Sequence, residues 1–450
     1  MSSDPAATLA AHVQRTRFVD LPPHTVLATK RDMLDTFGCL LGGTGQPGIP
    51  ELKALALRWG GAEESRVVLL DRRLPAPQAA LLHGSMAHAL DFDDTLDHGG
   101  SIHPGAPVLS AALAAADLNP AATGRDLVLA HALGLDVACR VALASTVDRG
   151  WHRTAVMGVF GATVAAAKLL GLDEGQTLNA LGIAYSQAAG NRQSILDGAL
   201  TKRLQSGQAA AAGVQSAILA QTGFTGAHDI FTGQYGFFEL YQPGGCEVGA
   251  LTDQLGTAFR GDELSFKPHA CGRPFHGALD AALALRRELG LDHDKPAAVT
   301  VRTGAGRWQE QFAAGKSRPT QIVEAQFSPL YLIAVALLKG QVGIRDVAGF
   351  EDTTVLDLAA RIAAEVDPSW PHNKLQITIR TESGRSATME ATAPLGSPER
   401  PLSDAQLADK FRDCAASASR PIAAASVEDA IAAILDLENR RSAELVSLIV

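Results

Sequence analysis

The sequence is poor in aromatic rings. Phe, Trp and Tyr make up 5% of its 450 residues, against 46% apolar residues in all. A core for this chain has to be assembled from Ala, Leu, Val and Ile, which favours closely packed helices over stacked rings. Cysteine is also scarce. Cys39, Cys139, Cys246, Cys271 and Cys414 are scattered, with no C-x-x-C pair and no Cys/His spacing suited to zinc or an iron–sulfur cluster, so a reducing compartment is expected. Positive charge is not in excess, with 39 basic against 48 acidic residues, and no Lys/Arg run forms a stripe for phosphates. Nucleic acid is therefore not an expected partner. The Ala-rich runs are interrupted by Gln, Asp or Lys and read as too short for the ~20 apolar residues of a bilayer span. The first residues carry an acid at position 4 and no apolar core of a secretory signal. These absences lead to the expectation of a soluble, cytoplasmic protein. There is likewise no Walker loop, no G-x-G-x-x-G after a strand and no G-x-S-x-G elbow, which disfavours NTPase, dehydrogenase and hydrolase readings.

What is present is helix. Residues 125–145, 158–172 and 208–223 are too long and too rich in Ala for strands, and Gly124, Asp173 and Gly223 supply capping and stop chemistry between them. An all-helical first domain follows. After residues 265–276 the character changes: a helix over 277–290 leads into a strand over 297–304, and 375–384 with 385–392 reads as a hairpin turned at Glu382, Ser383 and Gly384. Between these strands, the segments containing FSPLYLIAVALLKG and TVLDLAARIAAEV read as helical. The C-terminal stretch returns to helical pattern. The fold class expected is mainly α, with an α+β module inserted.

The densest polar cluster is residues 83–105, with four Asp and four His in an otherwise Ala/Leu chain. Burying so many ionisable groups is costly, so a solvated cleft is the natural setting, and Gly99, Gly100, Pro104 and Gly105 shape a tight loop able to hold His103. The bland alternative is a surface loop. Asp91, Asp93, Asp94 and His98 offer a rival metal set, but D-F-D-D-T has no fixed-spacing signature. His152 stands just before a helix, Lys202 and Arg203 enter another, and Lys267, His269, Cys271, Arg273 and His276 share a Pro-restricted loop where the domain character changes. The structural alternatives are a hydrogen-bonding loop histidine, a solvated helix end and, for Tyr331, a core tyrosine. Together these residues supply bases (His103, His152, Asp91), cations (Lys202, Lys267) and a hydroxyl acid (Tyr331). These are the types needed to hold a carboxylate and move a proton at the neighbouring carbon.

A-H-A-L-D-F-D-D-T with its following I-H-P-G, the T-K-R-L-x-x-G-x-A-A helix entry and the S-F-K-P-x-x-C-G-x-x-F-H junction resemble the MmgE/PrpD family. That family includes 2-methylcitrate dehydratase, cis-aconitate decarboxylase and iminodisuccinate epimerase. The resemblance covers almost the whole chain. It implies a large helical domain built from residues 1–264 and 400–450, a smaller α+β lid over 265–399, a homodimer, and no metal or organic cofactor. It implies catalytic roles for Asp91, His103, His152 and Tyr331, and carboxylate-binding roles for Thr95, Lys202 and Lys267. Decarboxylase members place a histidine five residues after the junction lysine, where this chain has Gly272, and the loop from Thr95 to His103 is about two residues longer than theirs. The expected function is a lyase acting on a small di- or tricarboxylate by α-proton abstraction, like 2-methylcitrate dehydratase. An epimerase of an iminodisuccinate-type acid is the alternative, with cis-aconitate decarboxylation or a non-catalytic helical binding protein less supported.

Overall fold

The computed structural model describes residues 4–306, 309–371 and 374–447. The chain divides into two units: Met1–Arg192, Leu200–Phe266 and Ser403–Val450 form the first, and Gln193–Ala199 with Lys267–Leu402 the second.

The first unit is built around the helix Gly105–Leu118, whose residues Gly105 to Ala116 are all buried. It packs against helices Ala76–Ala87, Gly124–Ala144, Gly158–Leu169 and Thr201–Gln221. Small residues make this possible. A Cβ on Gly207 would lie 2.2 Å from the Leu81 carbonyl oxygen, and one on Gly161 would lie 2.4 Å from that of Gly134, so two helix pairs touch backbone to backbone. This is how a chain with few rings fills its interior. Capping follows local chemistry: Thr123 with Asp126, Asp173 with Gln176 and Ser403 with Gln406 each form a reciprocal box. Gly124, expected at a cap, is instead the first helical residue, where a Cβ would lie 1.7 Å from the Leu437 carbonyl oxygen.

Two expectations are corrected here. The first unit is not all helical, because β1 (Ser65–Val67) and β2 (Leu70–Leu74) form an antiparallel hairpin. The run between Ser65 and Pro75 is too short for a stable helix and rich in β-branched and long side chains. Helix Gly124–Ala144 is long and apolar enough, by length and composition, to cross a membrane, although 94% of its apolar window is buried in the protein. It is a core helix carrying an internal ion pair, Arg140 Nε to Asp136 Oδ2 at 2.8 Å. The helix that Lys202 and Arg203 enter begins at Thr201, and both side chains are buried in its first turn, 3% and 2% exposed, against the alternative of a solvated end.

The second unit holds a four-stranded sheet in the order β4-β3-β5-β6, with β3 at Pro296–Gly304, β4 at Ala363–Asp367, β5 at Leu375–Thr381 and β6 at Ser386–Glu390. The pair β3/β5 is antiparallel, with Val299 opposite Ile379 and Val301 opposite Ile377, and these four side chains form the buried face. Helix His276–Leu289 packs against β5 and β6. The segment TVLDLAARIAAEV splits: Thr353–Arg361 is helical, but its end is β4, which pairs parallel with β3. Sheet pairing there overrides the helical preference of Ala and Glu.

Candidate active site

In the first unit, residues 88–105 leave helix Ala76–Ala87, loop back and start helix Gly105–Leu118. The Asp/His cluster is buried: His88, Asp91, Asp93 and Asp94 are each 0 or 1% exposed. This corrects the expectation of a solvated cleft, and pairing is what makes the burial tolerable. Asp91 adopts a left-handed backbone at φ 52°, a strained conformation for a residue with a Cβ, and meets Lys202 Nζ at 2.5 Å through Oδ2. Asp93 Oδ2 lies 2.6 Å from His88 Nδ1. Asp94 accepts the Gly105 backbone N–H, and burial, with Asp32 and Asp93 close by, pushes its carboxyl well above the usual range. Beneath them, Lys410 donates to Asp35 and to the Phe92 carbonyl at 2.6 Å each, and His131 Nε2 contacts Asp32 Oδ2 at 2.6 Å. Burial drives the Asp35 carboxyl up to about 7 against the pull of Lys410.

Asp91, Asp93 and Asp94 thus turn to three different partners, while His98 is exposed. Among the described residues, no group of three or more His, Cys, Asp or Glu side chains is arranged to hold a metal ion.

His103 is half-buried and anchored twice. Its backbone N–H donates to Thr154 Oγ1 at 3.2 Å and its Nδ1 lies 2.5 Å from the Asp94 carbonyl oxygen. A carbonyl only accepts, so Nδ1 carries the proton and Nε2 is the basic nitrogen of the neutral ring. The rings of His103 and His152 flank that of His88, with both centroids 5.3 Å from it. His152 Nε2 is 3.3 Å from His88 Nε2, and His152 Nδ1 is 3.0 Å from Gln205 Oε1. Burial, then His88 and Lys202, holds His152 well below its ordinary value. Thr95 is tied by its backbone to Ser265 in both directions, at 2.9 and 2.8 Å. The structure therefore brings Asp91, His103, His152 and Lys202 into one neighbourhood.

Lys267 and Tyr331 belong to the second unit. Lys267 is buried at the head of a Pro-restricted loop that also holds His269, Cys271, Arg273 and His276. Tyr331 is buried in helix Pro329–Lys339, and its hydroxyl donates to the carbonyls of Asp346 and Val347 at 3.1 and 3.3 Å. Burial raises its phenol above the ordinary value.

Sequence reading passed over His88 and Gln205. His88 lies inside the A-H-A-L-D-F-D-D-T string with Asp93 five residues on, which is a signal. Gln205 follows Lys202 by one turn on the same helix, but a lone Gln in an Ala helix carries none.

Residues 7–247 match the MmgE/PrpD N-terminal domain and residues 269–437 the MmgE/PrpD C-terminal domain. The chain belongs to the MmgE/PrpD family. Its relatives include the cis-aconitate decarboxylase of Homo sapiens, 27% identical over 439 residues, covering 93% of this chain and 89% of that protein. The cis-aconitate decarboxylase of Mus musculus is 29% identical over 430 residues, covering 91% and 86%. That of Aspergillus terreus is 25% identical over 445 residues, covering 92% and 89%. The MmgE/PrpD match spans both units, so the His103 and Lys267 clusters each lie within a matched domain or at its edge.

Proposed function

We propose that this MmgE/PrpD protein is a lyase acting on a small di- or tricarboxylate, with His103 removing the proton next to a carboxylate. The observation that carries this reading is the tautomer of His103: its Nδ1 proton is committed to the Asp94 carbonyl, which fixes Nε2 as the base on a half-buried ring. A hydrogen α to a carboxylate is weakly acidic, and its removal needs a cation to offset charge building on the carboxylate oxygens. Lys202 supplies one, already desolvated and held by Asp91 at 2.5 Å, so a substrate carboxylate exchanges partners with Asp91 rather than with bulk water. Lys267, on the resemblance, takes a second carboxylate. Loss of a hydroxide from the adjacent carbon, helped by a proton, then completes a dehydration.

Two observations bear on which acid is used. The curated relatives named above are cis-aconitate decarboxylases, which favours cis-aconitate as the second reading. Against it stands Gly272. A Cβ there would lie 2.9 Å from a ring carbon of Phe327 and 3.1 Å from one of Phe275, so the histidine that decarboxylases carry at this place has no room without moving two rings. We therefore favour dehydration of a 2-methylcitrate-like hydroxy acid, with epimerisation of an iminodisuccinate-type acid as the alternative outcome.

The test is incubation of the protein with methylcitrate, cis-aconitate and iminodisuccinate in D₂O, followed by NMR. An alkene signal from methylcitrate supports the dehydratase reading. Carbon dioxide released from cis-aconitate supports the decarboxylase reading. α-Deuteration of iminodisuccinate with neither indicates the epimerase. No change in any of the three removes the lyase proposal.

A further inference from the structure

Gln205 is the fixed point of a chain of side chains in the first unit. Its Oε1 accepts the Asn191 backbone N–H at 3.0 Å, and its Nε2 donates to the Asn191 carbonyl at 3.1 Å. Both partners are backbone groups of unambiguous sense, so the amide cannot be turned over without losing two hydrogen bonds. The atom facing His152 Nδ1 at 3.0 Å is then an oxygen, and His152 Nδ1 must carry a proton. At the other end, Asp93 Oδ2 at 2.6 Å from His88 Nδ1 demands a proton in that contact too. Both rings therefore have Nδ1 committed, and their remaining nitrogens, His88 Nε2 and His152 Nε2, face each other at 3.3 Å. With Asp93 ionised and both rings neutral, two lone pairs would point at one another in a buried site. One more proton turns that repulsion into a hydrogen bond.

We infer that His88 and His152 share a single proton between their Nε2 atoms, held by Asp93 at one end and Gln205 at the other, so that the histidine pair bears one positive charge balanced by the Asp93 carboxylate. Neither nitrogen of His152 then offers a lone pair to a substrate, and His152 is a positioning residue rather than a base. This last consequence rests on the lyase reading; the proton itself does not.

The opposing influences are on the same residues. Burial disfavours charge on both rings, and Lys202 opposes a proton on either, as does His103 on His152. Asp93 and, more weakly, Asp91 favour a proton on His88, and the Gln205 oxygen favours one on His152. The outcome is decided by whether the lone-pair conflict and the Asp93 charge outweigh burial.

Nitrogen-15 NMR of histidine-labelled, full-length protein without substrate decides it. His88→Gln and His152→Gln assign the signals, and the isosteric Asp93→Asn provides an independent perturbation should either of these fail to fold. At pH 7 the expected spectrum shows both Nδ1 atoms protonated and the two Nε2 atoms intermediate between bare and protonated. Asp93→Asn is expected to lower the pH at which that intermediate signal is lost by about 1 to 3 units, the usual effect of an adjacent opposite charge. Two bare Nε2 signals at pH 7 in the wild-type protein, or an unchanged titration in Asp93→Asn, would overturn the shared proton. Because the measurement needs no turnover, its failure leaves the lyase proposal standing, and absence of lyase activity leaves this result intact.

Discussion

The two histidine-rich clusters differ in the charges that act on their buried rings. In the first unit's cluster Lys202 has Asp91 beside it, Lys410 has Asp35, and His88 has Asp93. In the second unit, Lys267, His269, Arg273 and His276 lie on one short stretch, and Asp280 serves it from the next helix turn. Asp280 is already divided among His269 at 3.2 Å, the Leu395 backbone N–H at 2.7 Å and Arg400 at 3.5 Å. Burial first, and then the nearby His269, Arg273 and Lys267, hold the His276 ring well below its ordinary value. A balanced cluster holds geometry and protons. The second gathers His269, Arg273 and Lys267 around His276, and that positive surrounding is the property wanted of a carboxylate-binding loop.

The largest expected effect tests the balanced cluster as the place of chemistry. His103→Ala should lower kcat by about 10² to 10⁴-fold, the usual contribution of a general base, with the fold intact by circular dichroism and melting. Wild-type exchange of α-deuterium in that variant would move the base elsewhere.

The next pair of variants sets the clusters against each other directly. Lys202→Met and Lys267→Met should each weaken transition-state binding by about 2 to 5 kcal/mol in kcat/KM if both cations meet substrate carboxylates. Lys202→Met also removes the cation paired with the buried Asp91 and is expected to cost about 3 to 5 kcal/mol in urea unfolding. Lys267→Met removes one of the positive groups that hold the His276 ring down, so that ring should titrate at higher pH in the variant, read by NMR. A His276 titration unchanged in Lys267→Met would take Lys267 out of that neighbourhood.

How much of this was legible beforehand follows from the same contrast. The 83–105 cluster stood out because its residue types are dense and its neighbours are apolar, and Asp91, His103, His152 and Lys202 do converge. Its partners were not legible, because Asp32, Asp35, Gln205 and Lys410 are brought in from helices tens to hundreds of residues away by packing alone. For the fold, helices with 3.6-residue periodicity and the hairpin at Glu382 to Gly384 were readable from local chemistry. β1, β2 and β4 were not, since three- to five-residue strands carry too little period and form only where a partner strand is supplied. The close helix contacts at Gly84, Gly134, Gly161 and Gly207 were implied by composition, but which glycine meets which helix was not.

A smaller effect is the response of the cationic cluster to acid. A buried histidine whose folded value lies below its unfolded value of about 6.5 leaves the unfolded chain binding more protons. Its contribution is therefore fully present above that value and is lost as pH falls below it. His276 meets this condition through burial and its cationic neighbours. Urea unfolding of the wild-type protein at about pH 7.5 and 5.5 should show stability falling with acid, and His276→Gln should flatten the fall. A slope unchanged in the variant would mean that the loss arises elsewhere, with His83, pushed down to about 4 by burial, the next group to change.

The smallest expected effect concerns Tyr331, for which the resemblance and the geometry point in different directions. As a catalytic acid its hydroxyl would have to reach a leaving group. In the structure it instead donates to the Asp346 and Val347 carbonyls, on a ring that is fully buried in the Pro329–Lys339 helix. Losing one such hydrogen bond costs about 1 kcal/mol of stability. Burial also raises the phenol above its ordinary value, so the group is neutral at any working pH and its proton is costly to release. Tyr331→Phe, which keeps the ring and removes only the oxygen, is therefore expected to lower stability by about 1 kcal/mol and to leave kcat unchanged. A fall in kcat of about 10²-fold or more, the scale of a lost general acid, would show that the hydroxyl leaves its two carbonyl partners during turnover and would return Tyr331 to the chemistry.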